Sequence, residues 1–319
     1  MRYSAHEGNN VIDGTVHKVN LVGIKMIGKS GLVGAALLVH TAFAPQTFDT
    51  PSMLQRHTNL VWNIVVIGAD NRQALDPADA RAHFSATGEI HCGPGGVATV
   101  QLVRSAQGAL KVISSAHQFY DRACKYLGPS PCRVEFPHST PPSKFRVKTL
   151  SLNVGGCSIA PGNIPNKNLD WSVFELDGAP TGIQPYDVPE EGETLAREGA
   201  EVLTVSSPSD FKVNGKTSYH YQVCKIRDRY YFTNYPLQTD CDTGRGASGA
   251  GQLVDKSGHL AVVAVHVAGT DLPSGWNPNY PKPEYDRDTY FNASVPVEGD
   301  FLKVINGKLQ RPPPGGVVE

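Results

Sequence analysis

The chain of 319 residues is long enough for two domains or for one large β domain. Hydrophobic residues make up 40%, enough for a buried core, and 32 glycines and 24 prolines favour many short elements joined by turns over long helices. The formal net charge of -1 provides no basic field, so the composition argues against a nucleic-acid or anionic-membrane partner.

Residues 25–44, KMIGKSGLVGAALLVHTAFA, have the layout of a secretory signal. Lys25 and Lys29 precede an apolar stretch, which is followed by an A-x-A triplet that begins at Ala42. The apolar stretch is too short to span a bilayer, which needs about 20 apolar residues. The sequence therefore predicts a leader and propeptide-like segment over residues 1–64, a secreted or periplasmic protein, and no stable membrane anchor in the mature form. An ordinary buried helix or strand is the alternative, because a long stretch precedes the segment and Pro45 follows the triplet.

Short apolar runs separated by glycine, proline, asparagine and aspartate recur from about residue 61 onward. Several are rich in the β-branched and aromatic residues that strands prefer. They cover residues 61–67, 97–103, 110–113, 145–154, 171–176, 201–205, 219–226 and 260–267. Many short strands without helical crossovers predict an all-β fold, either an antiparallel barrel or a sandwich.

Six cysteines are dispersed along the chain, and none forms a C-x-x-C pair, which argues against a zinc ribbon. They are Cys92, Cys124, Cys132, Cys157, Cys224 and Cys241. An even number of dispersed cysteines in a turn-rich chain favours disulfides formed in an oxidising compartment. Six buried thiols in a cytosolic protein are the alternative, and the leader-like segment favours the disulfides.

Residues 243–249, TGRGASG, place Ser248 between glycines. A serine hydroxyl is a poor nucleophile unless a base takes its proton and donors stabilise the developing oxyanion. Glycines suit a tight turn whose N–H groups point at one spot, and the donors here would be the N–H groups of Gly246 and Ser248. The motif predicts a nucleophile with its oxyanion hole, and a glycine-rich hairpin turn with an incidental serine is the alternative.

Two further segments carry a candidate base and a candidate orienting carboxylate. In residues 112–117, VISSAH, an apolar strand runs into small residues and His117, which suits a general base on a rigid element. In residues 168–176, NLDWSVFEL, Asp170 opens an alternating strand pattern, where a buried carboxylate would orient the imidazole and stabilise its cation. Taken singly, a histidine is usually an ordinary surface or core residue, and an aspartate before a strand is usually a turn or cap residue.

The candidates follow one another as His117, Asp170 and Ser248, which is the chain order of chymotrypsin-like enzymes and differs from those of subtilisins and α/β-hydrolases. Over roughly residues 65–305 the chain resembles the V8-like group of bacterial trypsin-like and glutamyl endopeptidases. The resemblance rests on residues 67–72 (IGADNR), 95–103 (GGVATVQLV), 115–117 (SAH), 170–176 (DWSVFEL), 242–249 (DTGRGASG) and 265–269 (VHVAG). Ala247 replaces the aspartate with which pancreatic-type enzymes bind their new N-terminus, so that activation switch is not expected.

The resemblance implies two antiparallel six-stranded β-barrels, roughly residues 65–180 and 181–305, followed by a loose tail over residues 306–319. The active site would lie in the cleft between them, with His117 and Asp170 from the first barrel and Ser248 from the second. It implies a serine endopeptidase in which Ser248, deprotonated by His117, attacks the carbonyl of a protein or peptide substrate and forms an acyl-enzyme that water resolves. No metal or cofactor is required for this chemistry.

The resemblance also implies which cysteines pair. In this fold, cysteines that flank the strand leading to the histidine can meet and pin the histidine loop. The expected pairs are Cys92–Cys124, Cys224–Cys241 and, by remainder, Cys132–Cys157. The A-x-A triplet and the segment at residues 67–72 place the expected start of the mature chain between Ala44 and Ile67.

The substrate pocket carries two conflicting indications. Asp242 lies six residues before Ser248, where trypsin-like enzymes place the aspartate that binds Lys or Arg. Thr243 and His266 match the pair with which V8-like enzymes receive a carboxylate, and each offers a hydrogen-bond donor. We therefore expect cleavage after Glu, with Asp or Gln weaker; dominant cleavage after Lys or Arg would mean that Asp242 governs the pocket. A satisfied core histidine is the alternative for His266.

Two other functions stay open at this stage. The T-x-x-G-x-S-G motif and the downstream histidine also occur in viral-type polyprotein-processing proteases, although the leader and the segment at residues 67–72 favour a secreted microbial enzyme. The other is a non-catalytic binding protein on the same fold, and the completeness of the triad argues against it.

Overall fold

The structure, a computed structural model, describes residues 9–12, 15–18, 60–61, 66–93, 96–121, 124–129, 132–157, 169–207, 211–229, 237–270 and 282–313. The predicted leader at residues 25–44 lies outside the described residues. The chain divides into two compact units, Met1–Thr47 and Phe48–Glu319. In the first unit, strands β1 (Asn9–Ile12) and β2 (Thr15–Lys18) pair antiparallel.

The second unit is built mainly from short strands, as the turn-rich composition predicts. Its elements in chain order are β3 (Leu60–Val61), β4 (Gln73–Ala74), α1 (Pro77–His83), β5 (Thr87–Cys92), β6 (Gly96–Arg104), β7 (Leu110–Ser114), a 3-10 turn (Ala116–Phe119), β8 (Arg133–Phe136), β9 (Ser143–Arg146), a 3-10 turn (Thr149–Ser151), β10 (Asn153–Val154), β11 (Ser172–Phe174), β12 (Glu201–Ser206), β13 (Lys212–Val213), β14 (Lys216–Thr217), β15 (His220–Asp228), β16 (Leu237–Thr239), β17 (Gly251–Lys256), β18 (His259–Thr270), β19 (Asn292–Pro296) and α2 (Gly299–Ile305). Within the part of the chain that the structure describes, no helix has the length and apolar character needed to cross a membrane.

The first half of this unit is a seven-stranded antiparallel sheet in the order β10-β11-β7-β6-β5-β8-β9. A bridge between Val147, just after β9, and Leu176, just beyond β11, joins opposite sides of the sheet, so the strands curl into a barrel. Fully buried apolar side chains such as Ile90, Val100 and Ile113 form its core. Burial of these β-branched residues is what holds the barrel together, because each buried side chain of this size stabilises the fold by about 1.5–3 kcal/mol.

Strand β6 is buried on both faces, and its sequence alternates accordingly. Val100 and Leu102 belong to the apolar core. Thr99 and Gln101 project from the opposite face and meet the second half of the unit, where Thr99 bonds to Gly246 and Gln101 packs beside Gly251. This strand therefore carries polar side chains into the place where the candidate active site forms.

The second half contains a closed barrel of six strands in the order β12-β17-β18-β19-β16-β15, closed by the pairing of β15 with β12. Strand β4 extends the sheet beside β15, and β3 pairs with β18. Ten of the twelve residues of β18 are buried, which explains the continuous apolar run that the sequence shows there. The predicted all-β fold is confirmed, with one closed six-stranded barrel as expected and, in the other half, a sheet of seven strands where six were expected.

The C-terminal helix α2 closes the core below the first barrel. The ring of Phe301 stacks on that of Trp171, with 4.8 Å between ring centroids and 8° between ring planes. Beyond the helix, the carbonyl of Arg311 accepts from the N–H of Val154, and the N–H of Arg311 donates to the side chain of Asn153. The first residues of the predicted loose tail are thus bonded to β10, so order extends beyond residue 306.

Three disulfides join all six cysteines, and only one of the three expected pairs is correct. The bonds are Cys92–Cys132, Cys124–Cys157 and Cys224–Cys241. The expected Cys92–Cys124 and Cys132–Cys157 pairs are wrong because β5 pairs with β8 in a register that opposes His91 to Arg133. That register brings the adjacent Cys92 and Cys132 together, with 4.2 Å between their Cα atoms.

Candidate active site

His117 and Asp170 form a buried pair beside the end of β7. Strand β11 pairs antiparallel with β7, with Ser172 opposite Ser114. This pairing brings Asp170, two residues before Ser172, close to His117, three residues after Ser114. The Nδ1 atom of His117 lies 2.9 Å from Oδ2 of Asp170, whose side chain has no exposed surface.

The second carboxylate oxygen of Asp170 fixes the backbone of the same histidine turn. Its Oδ1 accepts from the N–H groups of Ala116 and His117, at 2.8 Å and 2.9 Å. Both oxygens are thus committed to holding one imidazole in one orientation. With its proton on Nδ1, the imidazole presents its lone pair on Nε2, the atom that a general base uses.

Ser248 lies in a tight turn between β16 and β17 and is partly exposed. The N–H of Ala247 donates to the carbonyl of Gly244, and the N–H of Ala250 donates to the carbonyl of Ala247. The two glycines around the serine have φ angles of +94° at Gly246 and +83° at Gly249. Side chains other than hydrogen rarely adopt such angles, so the turn requires both glycines of the motif.

At Gly249 the serine turn lies directly against the strand that leads to His117. A Cβ on Gly249 would lie 2.2 Å from both the Ser114 hydroxyl oxygen and the Thr99 carbonyl oxygen. The N–H of Gly249 also donates to the carbonyl of His266 at 2.7 Å. The turn is therefore held between β7 of the first barrel and β18 of the second, so Ser248 belongs to a turn that lies against the strand leading to His117.

The backbone around Ser248, which carries the predicted oxyanion donors, is bonded to the first barrel through its carbonyl groups. Among the hydrogen bonds formed by the described residues, none uses the N–H of Gly246 or of Ser248. The carbonyl groups of these same two residues accept bonds from Thr99, through its side chain and its N–H respectively. The turn is thus anchored by its carbonyls, which leaves its N–H groups for a ligand.

Asp242 is committed to contacts within the chain. Its carboxylate accepts from the N–H groups of Ile67 and Asn71, at 2.8 Å and 2.7 Å. Burial raises the pKa of Asp242 to about 6, and these two backbone hydrogen bonds act in the opposite direction. The segment at residues 67–72 that the sequence singled out is therefore fastened to the residue that begins the nucleophile motif.

Thr243 and His266, the expected substrate-binding pair, differ in how they are engaged. The Thr243 hydroxyl donates to the side-chain oxygen of Asn292, whose own amide donates to the carbonyl of Cys241. His266 is 4% exposed, and its Nδ1 atom has no hydrogen-bond partner among the described residues. Burial, and to a smaller extent the nearby His117, lowers the pKa of His266 to about 3, so the imidazole is neutral near pH 7.

Two residues at this site were not predicted from the sequence. Thr99 sits in an apolar run where a β-branched residue signals only a strand. Asn292 begins β19 and holds Thr243 in place. A buried polar residue inside an apolar strand is the signal that marks both, since such a group needs a hydrogen-bond partner.

Comparison with known proteins identifies the fold. No protein-family profile matches the chain, and no curated protein sequence matches it. Among solved structures, the chain is similar to a Glu endopeptidase in complex with MPD, with a TM-score of 0.53 and 20% identity over 77% of this chain and 100% of that one. The fold is chymotrypsin-like. A second solved structure, the protease Anisep from Arthrobacter nicotinovorans, matches with a TM-score of 0.47 and 14% identity over 70% of this chain and 95% of that one.

Proposed function

We propose that the protein is a serine endopeptidase in which His117, Asp170 and Ser248 act as the catalytic triad. The observation that supports this most strongly is the pairing of Nδ1 of His117 with a fully buried carboxylate whose other oxygen fixes the same histidine turn. A carboxylate placed in this way selects one tautomer and stabilises the imidazolium that forms during catalysis. A histidine that served only as packing would not need both oxygens of a buried aspartate.

The mechanism follows from these positions. Nε2 of His117 takes the proton of Ser248, whose oxygen attacks the carbonyl carbon of the scissile peptide bond. The N–H groups of Gly246 and Ser248 stabilise the negative oxygen of the tetrahedral intermediate. The imidazolium then gives its proton to the leaving amine, and an acyl-enzyme remains. A water molecule, deprotonated by His117, hydrolyses the ester and restores Ser248.

Three disulfides support a location outside the cytosol, because disulfides persist in oxidising compartments. We accordingly propose a secreted or periplasmic enzyme whose mature chain starts between Ala44 and Ile67. Sequencing of the N-terminus of the secreted protein tests this point. A secreted chain that still begins at Met1 would contradict it.

For specificity we propose cleavage after Glu. The Asp242 carboxylate already accepts two backbone N–H groups, so it is poorly placed to act as the counter-ion of a Lys or Arg side chain. His266 lies on β18 and accepts, through its carbonyl, a hydrogen bond from Gly249 of the nucleophile turn, and its buried Nδ1 atom lacks a partner among the described residues. The exposed Arg245 directly precedes the oxyanion donor Gly246 and adds a positive charge beside the nucleophile turn. A peptide library decides the point: dominant cleavage after Lys or Arg would contradict the proposal.

Site-directed variants test the triad itself. Ser248→Ala is expected to lower the turnover of a peptide substrate by several orders of magnitude with the fold intact, since triad members act as a unit. His117→Ala is expected to behave alike, whereas Asp170→Asn keeps the nucleophile and loses mainly the orientation of the imidazole. Ser105→Ala serves as the control, because Ser105 lies in the turn between β6 and β7 and bonds only to that turn. Retained peptidase activity in Ser248→Ala would overturn the assignment.

A further inference from the structure

Thr99 occupies a position at which a strand of the first barrel touches the nucleophile turn of the second. It lies near the middle of β6, and its side chain is fully buried. The neighbouring positions of the strand, Ala98 and Val100, are apolar and equally buried. A hydroxyl at such a position loses its contact with water and needs protein partners in compensation.

The partners of Thr99 are the two carbonyl groups that bracket the nucleophile turn. Its Oγ1 donates to the carbonyl of Gly246 at 2.7 Å. Its backbone N–H donates to the carbonyl of Ser248 at 2.8 Å. The N–H of Ser207 donates to the same Oγ1 at 3.4 Å, which leaves the hydroxyl proton directed at Gly246.

These two bonds act on the peptide units next to the oxyanion donors. Each peptide unit is planar, so a fixed carbonyl fixes the orientation of the whole unit. The units that begin at Gly246 and at Ser248 are both anchored, and the unit that carries the Ser248 N–H lies between them. Gly246, with its φ of +94°, is a residue at which the backbone rotates at low cost. A side-chain anchor on its carbonyl opposes that rotation, which would turn its N–H away from the site.

We propose that the Thr99 side chain is a positioning residue for the oxyanion hole, which it holds in its working orientation by bonding the Gly246 carbonyl across the two barrels. This inference rests on the proposed peptidase activity and goes beyond it, because the Thr99 side chain bonds the carbonyl of Gly246, and Thr99 bonds Ser248 only from backbone to backbone. A hydroxyl in this role acts on the transition state, where the oxyanion is formed, more than on the bound substrate.

Thr99→Val and Thr99→Ser test the role. Valine keeps the shape and loses the hydroxyl, and serine keeps the hydroxyl. Loss of a whole oxyanion donor costs roughly a hundredfold to a thousandfold in kcat, so a donor that is only loosened should cost roughly tenfold. We expect Thr99→Val to lower kcat by about that factor with little change in KM, and Thr99→Ser to restore most of it.

The dissociation constant of a peptide aldehyde is a measurement that a general loss of stability would not change. Its adduct with Ser248 is tetrahedral and places an oxygen in the oxyanion hole, so its dissociation constant should rise in Thr99→Val by about the same factor as kcat falls. Thr87→Val is the matched control, because Thr87 is also a fully buried threonine, on the neighbouring strand β5, whose hydroxyl bonds to Gln101 and Tyr186. That variant should lose stability and keep both kcat and aldehyde affinity.

The outcomes separate this inference from the proposed function. If Thr99→Val matches Thr87→Val in kcat and aldehyde affinity, the positioning role is wrong while the peptidase stands. If the wild-type protein neither hydrolyses peptides nor binds the aldehyde, both fall. Should Thr99→Val fail to fold by circular dichroism, Thr99→Ala, which removes the hydroxyl and adds no bulk, takes its place in the same assays.

Discussion

Gly249→Ala is expected to be far more destabilising than Gly108→Ala, although both glycines have the same backbone angle. Gly249 has a φ of +83° and lies against the first barrel, where an added Cβ would meet the Ser114 hydroxyl and the Thr99 carbonyl at 2.2 Å. Gly108, in the turn between β6 and β7, has the same φ of +83°, and a Cβ there would meet no atom within 4 Å. Comparing the two alanine variants therefore separates the cost of the backbone angle from the cost of the contact.

The magnitudes follow from the contacts. Placing a non-glycine residue in the left-handed region costs roughly 1–2 kcal/mol, which is the whole cost expected for Gly108→Ala. At Gly249 the new methyl also overpacks the interface, at about 1–3 kcal/mol. If Ser114 moves to make room, its buried bond to the Thr99 carbonyl is lost at a further cost of about 1–3 kcal/mol. We expect a total loss of roughly 3–8 kcal/mol for Gly249→Ala.

Urea denaturation of the two variants measures the difference in free energy of unfolding. The expected gap between Gly249→Ala and Gly108→Ala is roughly 2–6 kcal/mol, because the cost of the backbone angle is common to both. Adding Ser114→Ala to Gly249→Ala should give back about 1 kcal/mol relative to the sum of the single changes, because the two side chains compete for one space. Equal losses in the two alanine variants would refute the close approach of the turn to the first barrel.

Three further predictions concern acid stability, cross-links and charge. Burial lowers the pKa of His266 from 6.5 to about 3, so the unfolded chain takes up a proton that the folded chain refuses, and stability falls as the pH drops from about 6.5 towards 3. His266→Gln should therefore reduce the loss of unfolding free energy between pH 7 and pH 4 by roughly 2–3 kcal/mol in urea titrations, and an unchanged loss would count against the buried neutral imidazole. A non-reducing peptide map should recover Cys92 joined to Cys132, and recovery of Cys92 joined to any other cysteine would contradict the strand register. Arg245→Glu should lower kcat/KM for peptides cleaved after Glu by roughly tenfold relative to neutral peptides, unlike Arg81→Glu on helix α1, and equal effects of the two would remove Arg245 from substrate recognition.

Much of the fold could be predicted because buried strands require runs of apolar residues, and such runs can be read in the sequence. The run at residues 260–267 predicts the strand that became the buried β18, and the run at 201–205 predicts β12. The run at residues 145–154 was less informative, because a 3-10 turn at Thr149–Ser151 divides it between β9 and β10. A run of apolar residues shows that a segment is buried, but it does not show where the chain turns within that segment.

The sequence could not predict which residues far apart in the chain contact each other. The Cys224–Cys241 pair was predicted correctly, and it joins β15 to the second residue beyond its neighbour β16. The Cys92–Cys132 pair depends on the register of β5 with β8 across 40 residues, and a register shift leaves no trace in the local pattern. Thr99 has the same limitation, since its role exists only once β6 meets a turn of the other barrel 147 residues away.

The central claim, that Ser248 is an activated nucleophile, is tested most directly by a fluorophosphonate probe followed by peptide mapping. The probe reacts with a serine whose proton a base removes, and no knowledge of the natural substrate is needed. We expect one label on the wild-type protein, located on Ser248, and none on His117→Ala. A folded wild-type protein that takes up no label, or that takes it up at another serine, would contradict it.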